Sequence, residues 1–464
     1  MQQLTNRTFD EIEVGASDTI VRTLTATDVE ALALAAGDVE AFHLDLTPGA
    51  VAEAVTAPGA AAVALVAGVL NRRLPGPGSA IIGTHFRYAG KIRAGDTLTV
   101  VVTASAKHAA GQRIDFQCRC TNRDGDVLVD GVATVSAPSV RIAYTNIATP
   151  EVVLRRNDGL ARLLLHCEGL APVTCAVVHP CDYESLMGAI ESAKRGLIVP
   201  ILVGPAAKIH AAATLANIDL TPYRIVSTPH SHAAAERAVA MARTGEVEAL
   251  MKGSLHTDEL MEAVVPSATG LRTERRISHV FVMDVPAYPR TLMITDAAVN
   301  IAPDLACKAD ICRNAIDLAH VLGNKVPKVA ILSAAETVNP KIESTLHAAA
   351  LCKMADRGQI TGGVLDGPLA FDNAVSPDAA RTKGIVSPVA GVADILLVPD
   401  LESGNMMAKQ LTYLAGADSA GIVLGARVPI VLTSRADNVR TRLASAAVLK
   451  LVAHDRRTRL LPRE

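Results

Sequence analysis

Hydrophobic positions along this chain follow two different periods. Ile114, Phe116, Cys118 and Cys120 alternate with Asp115, Gln117 and Arg119, the period of a strand with one buried face. Asp124-Gly125 is a hairpin turn signal, and Val127 to Val135 returns as the partner strand. Upstream, Asp28 to Ala36 patterns as an amphipathic helix and Gly59 to Arg73 as a long apolar one. A buried helix followed by an antiparallel meander predicts an α+β domain over residues 1–138. Residues 139–157 carry Pro150 and little periodicity, and read as a linker that begins near Ala137 and Pro138. From residue 158 to 464 the text changes: apolar runs at 173–178, 198–203, 249–251, 279–283, 292–294, 329–332, 395–398 and 430–432 are separated by helix-length, Ala-rich segments. That alternation is α/β and predicts parallel sheets with helices on both faces. So many strands predict two subdomains with a cleft between them, about 158–298 plus 436–464 and about 299–435.

Composition narrows the class. A chain of 464 residues is too long for one core. Half of it is apolar, but Trp is absent and aromatics are only 3%, so its cores must be aliphatic. A net charge of −2 with both signs interspersed excludes the basic stripe of a nucleic-acid binder. The eight cysteines show no Cys-x-x-Cys and no zinc spacing, which fits reduced thiols in a cytoplasmic protein. Asp10, Glu11 and Glu13 stand where a signal peptide would be apolar. The run Gly59 to Leu70 is too short to span a bilayer and ends in Asn71-Arg72-Arg73, so no membrane partner is expected. No Walker-type loop is present, and neither His230-x-His232 nor the trio Asp296, Asp310 and Asp400 is expected to hold a metal.

The polar clusters that follow the late apolar runs carry the first candidate chemistry. Asp400-Leu401-Glu402-Ser403-Gly404-Asn405 follows one run and Thr433-Ser434-Arg435-Ala436-Asp437 another, as if delivered to the carboxyl ends of neighbouring strands, where open α/β sheets bind ligands. Ser434, Arg435 and Asp437 supply a hydroxyl donor, a guanidinium suited to phosphate and a base within four residues. The bland alternative is a helix N-cap with a salt-bridged first turn. Met251-Lys252-Gly253-Ser254-Leu255-His256-Thr257 follows another strand, where backbone N–H groups and a helix start can take a phosphate. Together with Leu271-Arg272-Thr273, Ser278 to Met283, Thr295 to Asn300 and Asp366 to Asp372, these motifs resemble, in order, the phosphate acetyl/butyryl transferases. The resemblance implies acyl transfer between CoA and phosphate on a two-subdomain scaffold shared with the isocitrate and isopropylmalate dehydrogenases. It implies Ser434, Arg435 and Asp437 as catalytic residues, with Lys252, Gly253, Ser254, Thr257, Asn300, Gly404 and Asn405 binding substrate. The Thr-Ser-Arg-Ala-Asp form looks more like the butyryl-type branch. A metal- and NAD-dependent dehydrogenase on the same scaffold is the rival, but no nicotinamide fingerprint accompanies it.

The second candidate lies near the N-terminus. Asp38 and His43 are five residues apart after a helix that Gly37 closes, a carboxylate and an imidazole able to activate a water. The order Gly-Asp-x(4)-His-x-Asp, Pro58-Gly59, Leu74-Pro75-Gly76-Pro77-Gly78-Ser79, Phe86 and Gly95-Asp96-Thr97-Leu98 resembles the MaoC-like, R-specific enoyl-CoA hydratases over residues 8–136. That resemblance implies a dimeric hot-dog fold, Asp38 and His43 as the water-activating dyad, and the Gly59 N–H as donor to the thioester oxygen. Glu40-Ala41 stand where that family usually has Asn-Pro. The expectation for the whole chain is a homo-oligomeric, bifunctional enzyme of acyl-CoA, phosphate and acyl phosphate, with CoA as substrate and no bound cofactor. The alternative is a transferase whose hot-dog domain only binds CoA or holds the oligomer together.

Overall fold

In the computed structural model, which describes residues 4–37, 56–57, 60–145 and 159–460, the chain divides into the units Met1–Leu154 and Arg155–Glu464. The first unit runs β1 (Leu4–Thr5), β2 (Ser17–Thr23), α1 (Ala26–Ala36), β3 (Thr56–Ala57), α2 (Ala60–Arg72), β4 (Ala80–Tyr88), β5 (Ile92–Arg93), β6 (Thr97–His108), β7 (Arg113–Thr121), β8 (Val127–Ser136) and β9 (Ala143–Tyr144). Five strands form an antiparallel sheet in the order β2-β6-β7-β8-β4. The period-two alternation is what builds its inner face: Leu98, Val100, Val102 and Ala104 of β6 and Ile114, Phe116, Cys118 and Cys120 of β7 are all buried. α2 lies against that face with Ala61, Ala62, Val66, Val69 and Leu70 inward. α1 begins at a capping box between Thr25 and Asp28 and ends at Gly37, whose φ of 71° is a left-handed cap that glycine adopts without strain.

The stretch expected to start the linker is instead part of this unit. Ala137 is buried, Phe9 N–H donates to the Pro138 carbonyl at 2.9 Å, and β9 pairs with β1. Pairing satisfies backbone groups that a free linker would leave to water, and this is why residues 137–145 fold back despite their two-sided polarity. Residues 146–158 lie outside the described residues.

The second unit runs α3 (Gly159–His166), β10 (Val173–Val178), α4 (Tyr183–Lys194), β11 (Ile198–Gly204), α5 (Ala206–Ala216), β12 (Arg224–Ser227), α6 (Ser231–Arg243), β13 (Ala249–Lys252), α7 (Thr257–Val264), β14 (Ser278–Asp284), β15 (Leu292–Thr295), α8 (Leu305–Val321), β16 (Lys328–Leu332), α9 (Glu343–Asp356), β17 (Val364–Leu369), α10 (Phe371–Val375), α11 (Pro377–Thr382), β18 (Ile395–Leu397), α12 (Leu401–Leu414), β19 (Asp418–Leu424), β20 (Ile430–Val431) and α13 (Val439–Leu460). The eleven strands form one sheet in the order β12-β11-β10-β13-β20-β19-β14-β15-β18-β16-β17.

The alternation predicts parallel sheets, and the observed sheet is mixed. The β12-β11-β10-β13-β20 half and the β15-β18-β16-β17 half are each parallel. Between them β19 and β14 pair antiparallel with each other and with their outer neighbours. The subdomains expected from the sequence therefore share a continuous sheet. On one face α4, α5, α8, α9 and α13 cover a single continuous core. On the other the core is split in two, one part under α6 and α7 and one under α10 and α12. His279 and Phe281 of β14 lie on this split face, since they alternate with Val280 and Val282 of the continuous core. Among the described residues no helix is long and apolar enough to cross a membrane.

Candidate functional site

Three polar loops were expected to converge, and the topology treats them differently. β18 and β20 are not neighbours: β19, β14 and β15 lie between them, and the three antiparallel pairings make β18 and β20 run in opposite directions. Asp400 to Asn405 and Thr433 to Asp437 thus leave the sheet at opposite ends, which corrects the expectation of neighbouring carboxyl ends. α12 restores part of the proximity by running back across the sheet. Its Lys409 is near enough to Asp437 to favour the ionised carboxylate.

The loop after β20 is held by a buried cationic floor. Arg442, 1% exposed, donates to the Thr433 hydroxyl at 2.9 Å and to the carbonyls of Ser434 at 3.1 Å, Asp437 at 3.3 Å and Lys252 at 3.4 Å. Lys252, 2% exposed, donates to the Thr433 carbonyl at 3.2 Å. Burial lowers the Lys252 ammonium to about 8, helped by the positive charges of Arg442 and Arg435. Arg442 fits because α4 offers Gly188, where any Cβ would stand 2.6 Å from the Arg442 Cδ. Above this floor the Ser434 N–H donates to Asp437 Oδ2 at 2.7 Å. Burial raises the Asp437 carboxyl, opposed by that N–H and by Arg442, Lys252 and Lys409. Ser434 and Arg435 are exposed, and the Arg435 guanidinium makes no hydrogen bond or ion pair among the described residues. The bland alternative does not hold: the side chain that caps α13 is Asn438, whose Oδ1 accepts the Thr441 N–H at 3.0 Å, while Asp437 binds the Ser434 N–H ahead of the helix and Arg435 is left facing solvent.

The loop after β13 is tied down differently than expected. Gly253 N–H donates to the Val178 carbonyl at 2.8 Å and Ser254 N–H to the His179 carbonyl at 3.0 Å. Those two N–H groups are spent on the end of β10, which corrects the expectation that they cradle a phosphate. Gly253 is there because a Cβ would fall 2.4 Å from the Val178 oxygen. Ser254 Oγ donates to the His179 carbonyl at 2.8 Å. Thr257 opens α7, whose first turn carries Asp258 and Glu259, and Glu259 accepts the His256 N–H at 3.2 Å. A helix start so capped repels an anion rather than inviting one.

The loop after β15 is organised around Asp296, 2% exposed, which accepts from the N–H groups of Ala298, Val299 and Asn300 and from Asn300 Nδ2. Asn300 Nδ2 also donates to the Ile277 carbonyl at 2.9 Å, and Asn405 Nδ2 to the Ala297 carbonyl at 3.1 Å. Gly404 lets α12 approach, since a Cβ would stand 2.9 Å from the Asp296 carbonyl oxygen. Asn300, Gly404 and Asn405 therefore build the loop, and the amide donors of the two asparagines are engaged within it. Asp38, His43 and Gly59 lie outside the described residues.

Two site residues escape the sequence reading. Arg442 sits on the buried stripe of α13 with Ser445, Ala446 and Leu449, so a charge at a helical core position is its only signal. His279 is fully buried, edge to face with Phe281, and neither ring nitrogen reaches a partner. Burial lowers its imidazole to about 4, with only the Leu432 carbonyl opposing. Leu432 leads directly into Thr433, and the Thr295 hydroxyl before Asp296 donates to the His279 carbonyl at 2.8 Å. His279 is thus the residue common to the loops after β15 and β20.

Among the described residues no three His, Cys, Asp or Glu side chains gather as a metal site would require. A cavity of about 570 Å³, lined by Leu163, Val282, Met293, Ala444 and Leu451, lies against the continuous core on the opposite face and includes none of Thr433 to Asp437.

Residues 223–449 match the family described as phosphate acetyl/butaryl transferase. A phosphate acetyltransferase of Rhizobium meliloti is 66% identical over 296 residues, which cover 64% of this chain and 94% of the relative. A phosphate butyryltransferase of Clostridium acetobutylicum is 44% identical over 271 residues, 58% of this chain and 90% of the relative. The crystal structure of a branched-chain phosphotransacylase from Enterococcus faecalis V583 superposes with a TM-score of 0.53 at 30% identity, covering 60% of this chain and 99% of that one. The matched stretch contains β13, β15, β18 and β20 with the loops that follow them, and through it the chain belongs to the phosphate acetyl/butyryl transferase family.

Proposed function

We propose that residues 155–464 transfer a short acyl group between coenzyme A and phosphate: acyl-CoA and phosphate give acyl phosphate and CoA, reversibly. What carries the reading is Arg435, an unengaged guanidinium beside Ser434 on a floor of buried Lys252 and Arg442, in a chain of this family. Such a guanidinium suits two phosphate oxygens at once. In the direction of acyl-CoA formation, the CoA thiol gives its proton to Asp437 and the thiolate sulfur bonds to the carbonyl carbon of the acyl phosphate. The carbon–oxygen bond to phosphate then breaks, its electron pair leaving with the phosphate held by Arg435. The Ser434 hydroxyl donates to the carbonyl oxygen while it carries negative charge. A carboxyl raised by burial, as Asp437 is, lies closer to a thiol in proton affinity and serves better as the acceptor.

CoA is a substrate in this scheme and no cofactor takes part. The scheme also uses no cysteine nucleophile; burial pushes Cys312 and Cys352 up to about 12, so neither of these two is a thiolate at neutral pH. The loop motif looks butyryl-like, yet the acetyltransferase relative is 66% identical and the butyryltransferase relative 44%, so acetyl is the acyl group proposed first. Arg435→Ala is expected to cost roughly 100-fold or more in kcat/KM for acyl phosphate formation, because a charge-assisted phosphate contact is worth a few kcal/mol. A loss below about threefold removes Arg435 from the site.

For the first unit we infer a hot-dog fold that hydrates an enoyl-CoA through Asp38 and His43, with the Gly59 N–H polarising the thioester. The observation favouring it is α2, a mostly apolar helix laid on the buried face of a five-stranded antiparallel sheet.

A further inference from the structure

We propose that the pocket between α8, α13 and the β19–β20 turn is a second anion site, taking a small molecule that bears a phosphate or diphosphate group. It lies on the face of the continuous core, away from Thr433 to Asp437, and its cavity is about 450 Å³. Four arginines line it, Arg275, Arg427, Arg456 and Arg459, against two aspartates, Asp317 and Asp455. Arg275 pairs with Asp317, and Arg459 with Asp455 at 2.8 Å. Among the described residues neither Arg427 nor Arg456 makes an ion pair, and Asp455, already paired with Arg459, acts on Arg456 only at longer range. The Arg456 guanidinium is held only by carbonyls, those of Arg427 at 2.9 Å and Ala426 at 3.3 Å. Arg427 is exposed and its guanidinium makes no bond among the described residues.

Arg456 is half-buried, and a cation partly withdrawn from water with its one nearby carboxylate shared with another arginine is incompletely neutralised. Burial accordingly lowers the Arg456 guanidinium, opposed by the nearby charge of Asp455 and helped by Arg459. The surplus of positive charge and the planar forks that present it suit phosphate oxygens better than a single carboxylate. The cavity is too large for one phosphate and is backed by Leu318, Val321 and Val452, which leaves room for an organic body. Its placement gives the ligand leverage on the transferase loop. Arg427 belongs to the turn that enters β20, and the two-residue β20 leads straight to Thr433 and Ser434.

The test is calorimetric titration of the full chain with pyrophosphate and, separately, with adenosine 5′-diphosphate at low ionic strength. Three proteins are compared: wild type, Arg435→Ala, and the double variant Arg427→Ala/Arg459→Ala. Binding is expected to persist in Arg435→Ala and to weaken at least fivefold in the double variant. Either probe behaving so sustains the site, and the tighter one tells whether the organic body is read along with the phosphates. Arg427→Glu, a reversal at an exposed side chain, gives the same reading should the double variant fold poorly. Absence of binding by wild type at roughly 10 mM probe (about −3 kcal/mol or weaker) overturns the proposal. So does a weakening below fivefold, or a loss confined to Arg435→Ala, which assigns the ion to the transferase loop and leaves that reading intact.

Discussion

His279 shows what one residue can cost a fold. Its imidazole is fully buried with no hydrogen-bond partner, and it is tolerable only while neutral. Its proton affinity falls from 6.5 to about 4 on folding. Below pH 6.5 the unfolded chain takes up a proton that the folded chain refuses until about pH 4. Stability from this residue is therefore complete above pH 6.5 and is lost as the pH falls through that window, by up to roughly 3 kcal/mol. His279→Leu, which removes the titration at similar volume, should flatten the decline in unfolding midpoint between pH 6.5 and 4.5. A variant with the wild-type slope would remove His279 from the acid response. The same scale explains what was legible. Ser434, Arg435 and Asp437 stand out in the sequence because a polar cluster directly after an apolar run marks a strand end. Arg442 does not, because its charge is hidden in an ordinary amphipathic helix and its partners are mostly backbone carbonyls, which leave no side-chain signature, one of them on distant Lys252. Gly253 and Ser254 were readable as a loop but not as a loop whose N–H groups are consumed, since their acceptors belong to β10.

At the scale of elements, β14 and β19 turn two parallel half-sheets into one. β14 is legible as an apolar run of Val, Phe and Met. β19 is not, because Asp418-Ser419-Ala420-Gly421 looks like a turn. β12 and β17 are missed for related reasons: one is short and partly exposed, and the other contains Asp366-Gly367-Pro368. Missing β19 turns the order of the central strands from antiparallel into parallel, and this is how Asp400 and Ser434 came to be expected at adjacent strand ends. Gly421 is the residue that permits the real arrangement. A Cβ there would stand 2.4 Å from the Leu432 oxygen and 3.0 Å from His279 Nε2. The first neighbour is backbone and cannot swing away, so Gly421→Ala should push β20 off β19 and cost roughly 2–3 kcal/mol. Because β20 carries Thr433 and Ser434, kcat/KM should fall together with the unfolding midpoint. An alanine variant as stable and active as wild type would mean that the close approach of the two strands at Gly421 is not required.

At the scale of the molecule, the question is whether the two units do separate chemistry on one kind of substrate. Each has its own hydrophobic core, and the family match lies wholly in the second. In the proposed scheme acyl transfer uses Arg435 and hydration uses the His43 imidazole, and no other histidine lies in a motif like that of His43. His43→Ala should therefore abolish hydration of a short enoyl-CoA while leaving acyl phosphate formation unchanged, and Arg435→Ala should do the reverse. Glu40 and Ala41 replace the Asn-Pro usual between the dyad residues, so wild-type hydration is expected to be weak. Substituting Glu40→Asn and Ala41→Pro together should raise the rate if the water is merely badly oriented. The edges of the first unit offer it another use. β4 is a nine-residue edge strand with Ile82 and Tyr88 more than half exposed, a surface suited to pairing with a second copy. If the protein binds enoyl-CoA but never hydrates it, even with Asn and Pro restored, the first unit is a binding or assembly module, and the bifunctional reading gives way to a transferase carrying a non-catalytic partner domain.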